Sequence, residues 1–131
     1  KEIDYKLGFS KSLSPPPDIE VLKSTTSEEI TRMLVKVVDE ALLDGSVKLE
    51  HYRIAAKTGT AQIADNSDGG YYDDRFLHSF FGYFPAYNPR FLIFLYALEP
   101  SGARYASETL TKPFMDIVEF LINYYEIPPD R

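Results

Sequence analysis

The sequence contains no cysteine. That removes thiolate nucleophiles, disulfides and cysteine-based zinc sites, and it suits either redox compartment. Nowhere is there an apolar run of the roughly 18 residues that a spanning helix needs. Basic charge is scarce: 14 Lys and Arg stand against 20 Asp and Glu, a net charge of −6. A nucleic-acid surface needs a clustered basic face, so no nucleic-acid partner is expected. The first residue is Lys1 rather than Met, and no signal peptide follows it. That beginning reads as a piece of something longer. What is present suits one packed unit: 131 residues, 44% hydrophobic and 15% aromatic.

Residues 1–24 are mixed and include Pro15, Pro16 and Pro17, which favour an extended lead-in. Thr26 followed by Glu29 spells a capping box. Ile30, Met33, Leu34, Val37, Val38, Ala41 and Leu42 then recur at helical spacing, and Gly45 offers a stop. The spacing predicts a helix over 27–44. A strand is expected over 52–62, then a loop through ADNSDGGYYDD. SFFGYF (79–84) and FLIFLYAL (91–98), joined through PAYNPR, read as an antiparallel pair. FLIFLYAL is apolar at every position, which predicts cover on both of its faces. A last helix is expected with Thr111 as cap and Pro113 in its first turn. Its apolar stripe is Phe114, Ile117, Val118, Leu121 and Ile122. The fold class is therefore α+β: an antiparallel sheet of about three strands with N-terminal and C-terminal helices packed on it. Residues 1–131 read as one unit, with 1–24 leading into the helix, strands and helix of 25–131.

The stretch RIAAKTGTAQ (53–62) sets a problem. Strand interiors favour bulky β-branched and aromatic residues, and glycine weakens them. Here Lys57, Thr58, Gly59 and Thr60 stand together. Alternation puts Lys57 and Gly59 on one face and Thr58 and Thr60 on the other. Both pairs reach one ligand only if that ligand lies along the strand edge, where unpaired N–H and C=O groups accept an added strand. The acidic loop does not match a calcium-binding pattern: counted from Asp65, the third, fifth and twelfth positions hold Ser67, Gly69 and Phe76. No metal and no cofactor is expected. His78 and Ser79 are strand neighbours that point to opposite faces, so they do not make a nucleophile–base pair. His78 reads as a structural residue at a strand start, and His51 as solvated.

Lys57-Thr58-Gly59 is one of three short motifs shared by penicillin-binding proteins and class A β-lactamases. Its surroundings are more specific. AAKTGTAQ, then HSFFGYFPAYNPRFLIFLYALEP, then an amphipathic helix resemble the C-terminal part of the transpeptidase domain of class B penicillin-binding proteins, over residues 20–128. That resemblance implies a penicillin-binding, β-lactamase-like fold and a serine D,D-transpeptidase that cross-links peptidoglycan in cell-wall synthesis, division or shape. It implies catalytic roles for Lys57 and Thr60 and substrate binding by Thr58, Gly59 and Thr60. Lys57 supplies positive charge for the substrate carboxylate and for proton movement. The Thr58 and Thr60 hydroxyls bond that carboxylate, and Gly59 lets the ligand approach the backbone. The Thr60 N–H corresponds to an oxyanion-hole donor, a type of contact worth about 3–4 kcal/mol in a transition state.

The implied partners are a stem peptide ending in D-Ala-D-Ala, β-lactams, and the missing N-terminal part of the domain. The implied location is the extracytoplasmic face of the bacterial membrane, with the anchor outside this chain. The departure from the family is equally plain. No serine has Lys three positions on, and none has Asn or Asp two positions on. Ser-x-x-Lys and Ser-x-Asn are both absent, so this chain holds one wall of a site without the nucleophile. A non-catalytic cell-wall-peptide or partner-binding module, a D,D-carboxypeptidase and a β-lactam sensor are the alternatives.

Overall fold

The computed structural model describes residues 2–4, 10–12, 19–67 and 69–131. Their order is β1 (Glu2–Asp4), β2 (Ser10–Ser12), α1 (Ser24–Lys36), a π-helical turn (Val37–Ala41) and a 3-10 turn (Leu42–Gly45). Then come β3 (Ala55–Ala64), β4 (Tyr71–Phe84), β5 (Phe91–Leu98) and α2 (Ala106–Tyr124). The lead-in is thus not simply extended, because β1 and β2 pair antiparallel. The three prolines at 15–17 lie outside the described residues.

β3, β4 and β5 form the antiparallel three-stranded sheet that the sequence predicts, with β4 in the middle. Lys57 faces Phe81, Thr60 faces His78, and Phe80 faces Leu95. β4 is longer than expected. It begins at Tyr71, so four residues assigned to the acidic loop are strand. The turn itself is tight. The Ser67 N–H and hydroxyl both donate to the Asp65 carboxylate (2.8 and 2.6 Å), and Asp65 N–H donates to Gly70 O. Gly69 and Gly70 supply positive φ there. A register shift between Gln62 and Ala64 fits the two strands of the hairpin together.

α2 covers one face of the sheet. Phe114 stacks on Phe80 with ring centroids 4.2 Å apart. It also fills the space over Gly82, where an added Cβ would lie 2.5 Å from the Phe114 ring and 2.8 Å from Ala56 Cβ. Val38, Leu42, Ile54, Val118 and Ile122 complete this core. α2 begins at Ala106, five residues before the expected cap at Thr111. The Glu108 carboxylate accepts from the N–H groups of Arg104 (3.1 Å) and Tyr105 (2.8 Å), and Ala106 N–H donates to Thr60 Oγ1. The helix start is therefore held partly by another strand, which no local pattern reveals. Pro113 consequently lies inside the helix and Thr111 is buried.

α1 also starts earlier than expected, at Ser24, so Thr26 lies in the first turn and the Thr26–Glu29 capping box does not form. Glu29 pairs with Arg32 instead. The buried line is Thr31, Val35, Val38 and Leu42, rotated from the predicted stripe, and Ile30 and Met33 are exposed. Thr31 donates to Ser27 O (2.9 Å), which leaves the Tyr83 hydroxyl as donor in their 2.7 Å contact. Leu43 and Asp44 take left-handed conformations and Gly45 has φ 74°, which reverses the chain.

The last residues strap the chain back onto the approach to β3. Tyr52 O–H donates to Ile127 O (3.0 Å) and Arg53 N–H to the Asp130 carboxylate (2.7 Å). The Arg131 guanidinium bonds the Asp39 carboxylate and Leu49 O, and the hydrogen bond to Asp39 raises the Arg131 pKa above its ordinary value.

Two-sided cover of β5 is not found among the described residues. Phe91, Ile93, Leu95 and Ala97 face the α2 core. Leu92, Phe94, Tyr96 and Leu98 face the other way and stay 59–69% exposed. On that face α1 packs over β3 and the end of β4, where Val35 meets Ala55, Ala86 and Tyr83, and it leaves the outward side chains of β5 open.

Candidate functional site

Lys57, Thr58, Gly59 and Thr60 lie in the middle of β3. Among the described residues β3 pairs only with β4, so it is an edge strand. Its outer side presents backbone donors and acceptors with no ladder partner. Alternation is as predicted. Lys57 and Gly59 share the face of Phe81 and Tyr83, while Thr58 and Thr60 share the face of Phe80 and His78 under α2. The four residues come together only along the edge.

Lys57 is exposed, and its Nζ donates to Thr58 O at 2.7 Å. Its cross-strand partner Phe81 lines a groove of about 560 Å³ between α1 and the sheet, together with Thr31, Tyr83, Tyr87 and Leu92.

Gly59 has a reason within the fold that sequence reasoning missed. A Cβ there would lie 2.6 Å from Ser79 Oγ on the neighbouring strand. Ser79 in turn donates to Gly59 O at 3.4 Å. The signal was the pairing of a small strand residue with a hydroxyl directly opposite, which becomes readable only once the register is known.

Thr60 is engaged through its side chain. Its Oγ1 accepts the Ala106 N–H at 3.0 Å, acting as a cap for α2 from a different element. Because the oxygen is the acceptor, the hydroxyl proton of Thr60 stays available to a ligand. His78 lies in the interior of β4, not at a strand start, and is fully buried. Its Nδ1 lies 2.9 Å from Thr109 Oγ1 and its Nε2 lies 3.1 Å from Arg104 O.

At the far end of the hairpin the Arg75 guanidinium bonds Glu99, and that bond raises the Arg75 pKa. Among the described residues no group of three His, Asp or Glu is placed to hold a metal ion.

Comparison with known proteins gives the family of the chain. The family model described as penicillin binding protein transpeptidase domain matches residues 2–119. A probable peptidoglycan D,D-transpeptidase PenA of Neisseria gonorrhoeae is 28% identical over 126 residues, which is 95% of this chain and 21% of that protein. A peptidoglycan D,D-transpeptidase FtsI homolog of Mesostigma viride is 35% identical over 107 residues, covering 79% of this chain and 18% of that protein. Among solved structures, penicillin-binding protein 3 of Mycobacterium tuberculosis complexed with ampicillin superposes with a TM-score of 0.75 at 27% identity. That match covers 98% of this chain and 30% of the other. The transpeptidase domain of Burkholderia pseudomallei penicillin-binding protein 3 gives 0.70 at 27% identity, over 93% of this chain and 37% of the other. The chain spans less than a third of the length of the curated relatives it matches.

Proposed function

The chain belongs to the penicillin-binding protein transpeptidase domain family, and from that premise we propose that it forms the Lys-Thr-Gly wall of a serine D,D-transpeptidase site. The observation that carries this reading is the Lys57–Thr60 run on a strand edge with no ladder partner among the described residues, inside a domain match of 118 residues, from 2 to 119. A stem peptide ending in D-Ala-D-Ala adds along that edge as an extra strand. Lys57 and the hydroxyls of Thr58 and Thr60 hold its carboxylate. The Thr60 N–H stabilises the negative oxygen that develops when a serine attacks the scissile carbonyl. Gly59 keeps the backbone accessible. The serine then holds the acyl group until an acceptor amine removes it, and β-lactams arrest that covalent stage.

This chain has no Ser-x-x-Lys, so the nucleophile comes from sequence outside it. The site faces the outside of the cytoplasmic membrane, where peptidoglycan is assembled in division or in elongation and cell shape. Its anchor lies outside this chain; among the described residues no helix is long and apolar enough to cross a membrane.

The deciding observation is the reading frame upstream of the Lys1 codon. Ser-x-x-Lys and Ser-x-Asn there, with penicillin acylation of the whole product that collapses on Lys57→Ala, are the expected result. An open frame without either motif, or acylation untouched by that substitution, counts for a non-catalytic module. The 131-residue chain by itself is expected to show no covalent penicillin adduct by intact mass.

A further inference from the structure

His78 is a fully buried polar side chain for which the acyl-transfer reading has no use. An apolar residue of similar shape would fill the same space without needing partners, whereas a buried imidazole demands them. Both of its ring nitrogens have one. Arg104 O is an acceptor only, so Nε2 carries the proton in the 3.1 Å contact. Nδ1 lies 2.9 Å from Thr109 Oγ1, whose hydroxyl also donates to Ala106 O at 3.3 Å within the same turn.

The two bonds fasten α2 at both ends of its first turn. Arg104 lies just before Tyr105, the residue that precedes the helix, and Thr109 is the fourth helical residue. Between them is Ala106, whose N–H points at Thr60 Oγ1 from 3.0 Å. Thr60 is also the residue directly opposite His78 in the β3–β4 pairing. One buried ring therefore sets the helix end that in turn sets the hydroxyl of the Lys-Thr-Gly-Thr strand.

We propose that His78 is a positioning residue for Thr60, acting through the Arg104–Thr109 turn and the Ala106 N–H. The proposal rests on the transpeptidase reading for its purpose, since a donor placed about 1 Å from its mark loses most of its value in acyl transfer. Its mechanism concerns only contacts within this chain. Holding Thr60 Oγ1 as an acceptor from Ala106 directs the Thr60 hydroxyl proton away from α2. It also fixes the segment of β3 whose backbone N–H serves the oxyanion.

The test uses this chain and two readouts. The first is amide hydrogen exchange of Ala106, with Val118 in the middle of α2 as an internal reference. His78→Phe should speed exchange at Ala106 by about tenfold relative to Val118, the loss expected for a hydrogen-bonded anchor. Thr60→Val should do the same, and the double variant should add nothing further, because both break one chain of contacts. His78→Gln, which restores a donor toward Arg104 O, should recover part of the protection. Thr109→Val supplies the same test if His78→Phe does not fold. In the wild-type chain the imidazole nitrogen shifts should report a proton on Nε2. Equal acceleration at Ala106 and Val118, or additive effects of His78 and Thr60 substitutions, would overturn the proposal and leave His78 as a packing residue. The second readout is titration with an N-acyl-D-Ala-D-Ala peptide, followed at the Gly59 and Thr60 amides. Binding several-fold weaker in His78→Phe and recovered in His78→Gln supports the proposal; equal binding in both variants counts against it. A wild-type chain that shows no shifts at those amides counts against the transpeptidase reading, while the exchange cycle still decides the role of His78.

Discussion

The two faces of the three-stranded sheet share the same strands and differ in cover. Under α2, Phe80, Phe84 and Phe114 are sealed and one glycine, Gly82, exists to admit a ring. On the opposite face Leu92, Phe94, Tyr96 and Leu98 are as apolar and stand open, and the glycine there, Gly59, admits only a serine hydroxyl. Composition therefore states how much burial a strand demands. It does not state which element supplies it. β5 carries the demand of a two-sided strand, and the described residues answer half of it.

Substitutions placed symmetrically on the two faces sharpen this contrast. Phe114→Ala should cost about 3–5 kcal/mol in urea unfolding, the range for emptying a packed aromatic site. Phe94→Ala on the open face should stay within about 0.5 kcal/mol. A loss above about 2 kcal/mol at Phe94 would mean that the face is covered in solution and would break the comparison. The glycines give a smaller pair of effects. Gly82→Ala should cost about 1–3 kcal/mol, because the new methyl meets the Phe114 ring and Ala56, neither of which can step aside. Gly59→Ala should cost less, since a serine hydroxyl can rotate away. In a Ser79→Ala background the Gly59→Ala penalty should shrink further, a result readable from unfolding midpoints.

Association is the next expectation. A long uncharged edge with an open apolar face is a template for pairing with another chain. Phe94→Lys should reduce self-association in sedimentation while leaving the unfolding midpoint in place. A wild-type chain that sediments as a monomer at every concentration tested would remove the basis for that expectation. The smallest effect belongs to Lys57→Ala. Its side chain is exposed and, among the described residues, bonds the neighbouring carbonyl alone, so stability should change by less than about 0.5 kcal/mol. Any larger loss would give Lys57 a structural duty that its surroundings do not show.

Much of the site was legible because it follows from a period of two. Once Lys57–Thr60 was read as strand, the division of its side chains between two faces followed, and the structure places them so. The three-strand order was legible from turn residues at 85–89 and from the apolar runs beside them. The helix ends were not. α2 starts where Glu108 and the distant Thr60 can cap it, and a reading of nearby residues settled instead on Thr111 and Pro113. α1 buries Thr31 because Tyr83 is there to bond it, while the more apolar Met33 stays outside. The acidic 71–74 stretch is strand because β4 needs length to match β3, and charge alone reads as loop. His78 was misplaced for the same reason, since its partners lie 26 and 31 residues away in sequence.

The strap at residues 127–131 has a consequence for the order of events in folding. Its bonds join Asp39 to Arg131 and Arg53 to Asp130, spans of 92 and 77 residues, whereas the β3–β4 hairpin closes across a short turn. Closing a large loop sacrifices chain freedom before any contact repays it, so local hairpins form early and such ties form late. Contacts absent from the transition state govern the rate of leaving the native state rather than of reaching it. Arg131 and Asp130 are thus placed to act as a kinetic catch: loosening them should hasten unfolding while the refolding rate stays nearly unchanged.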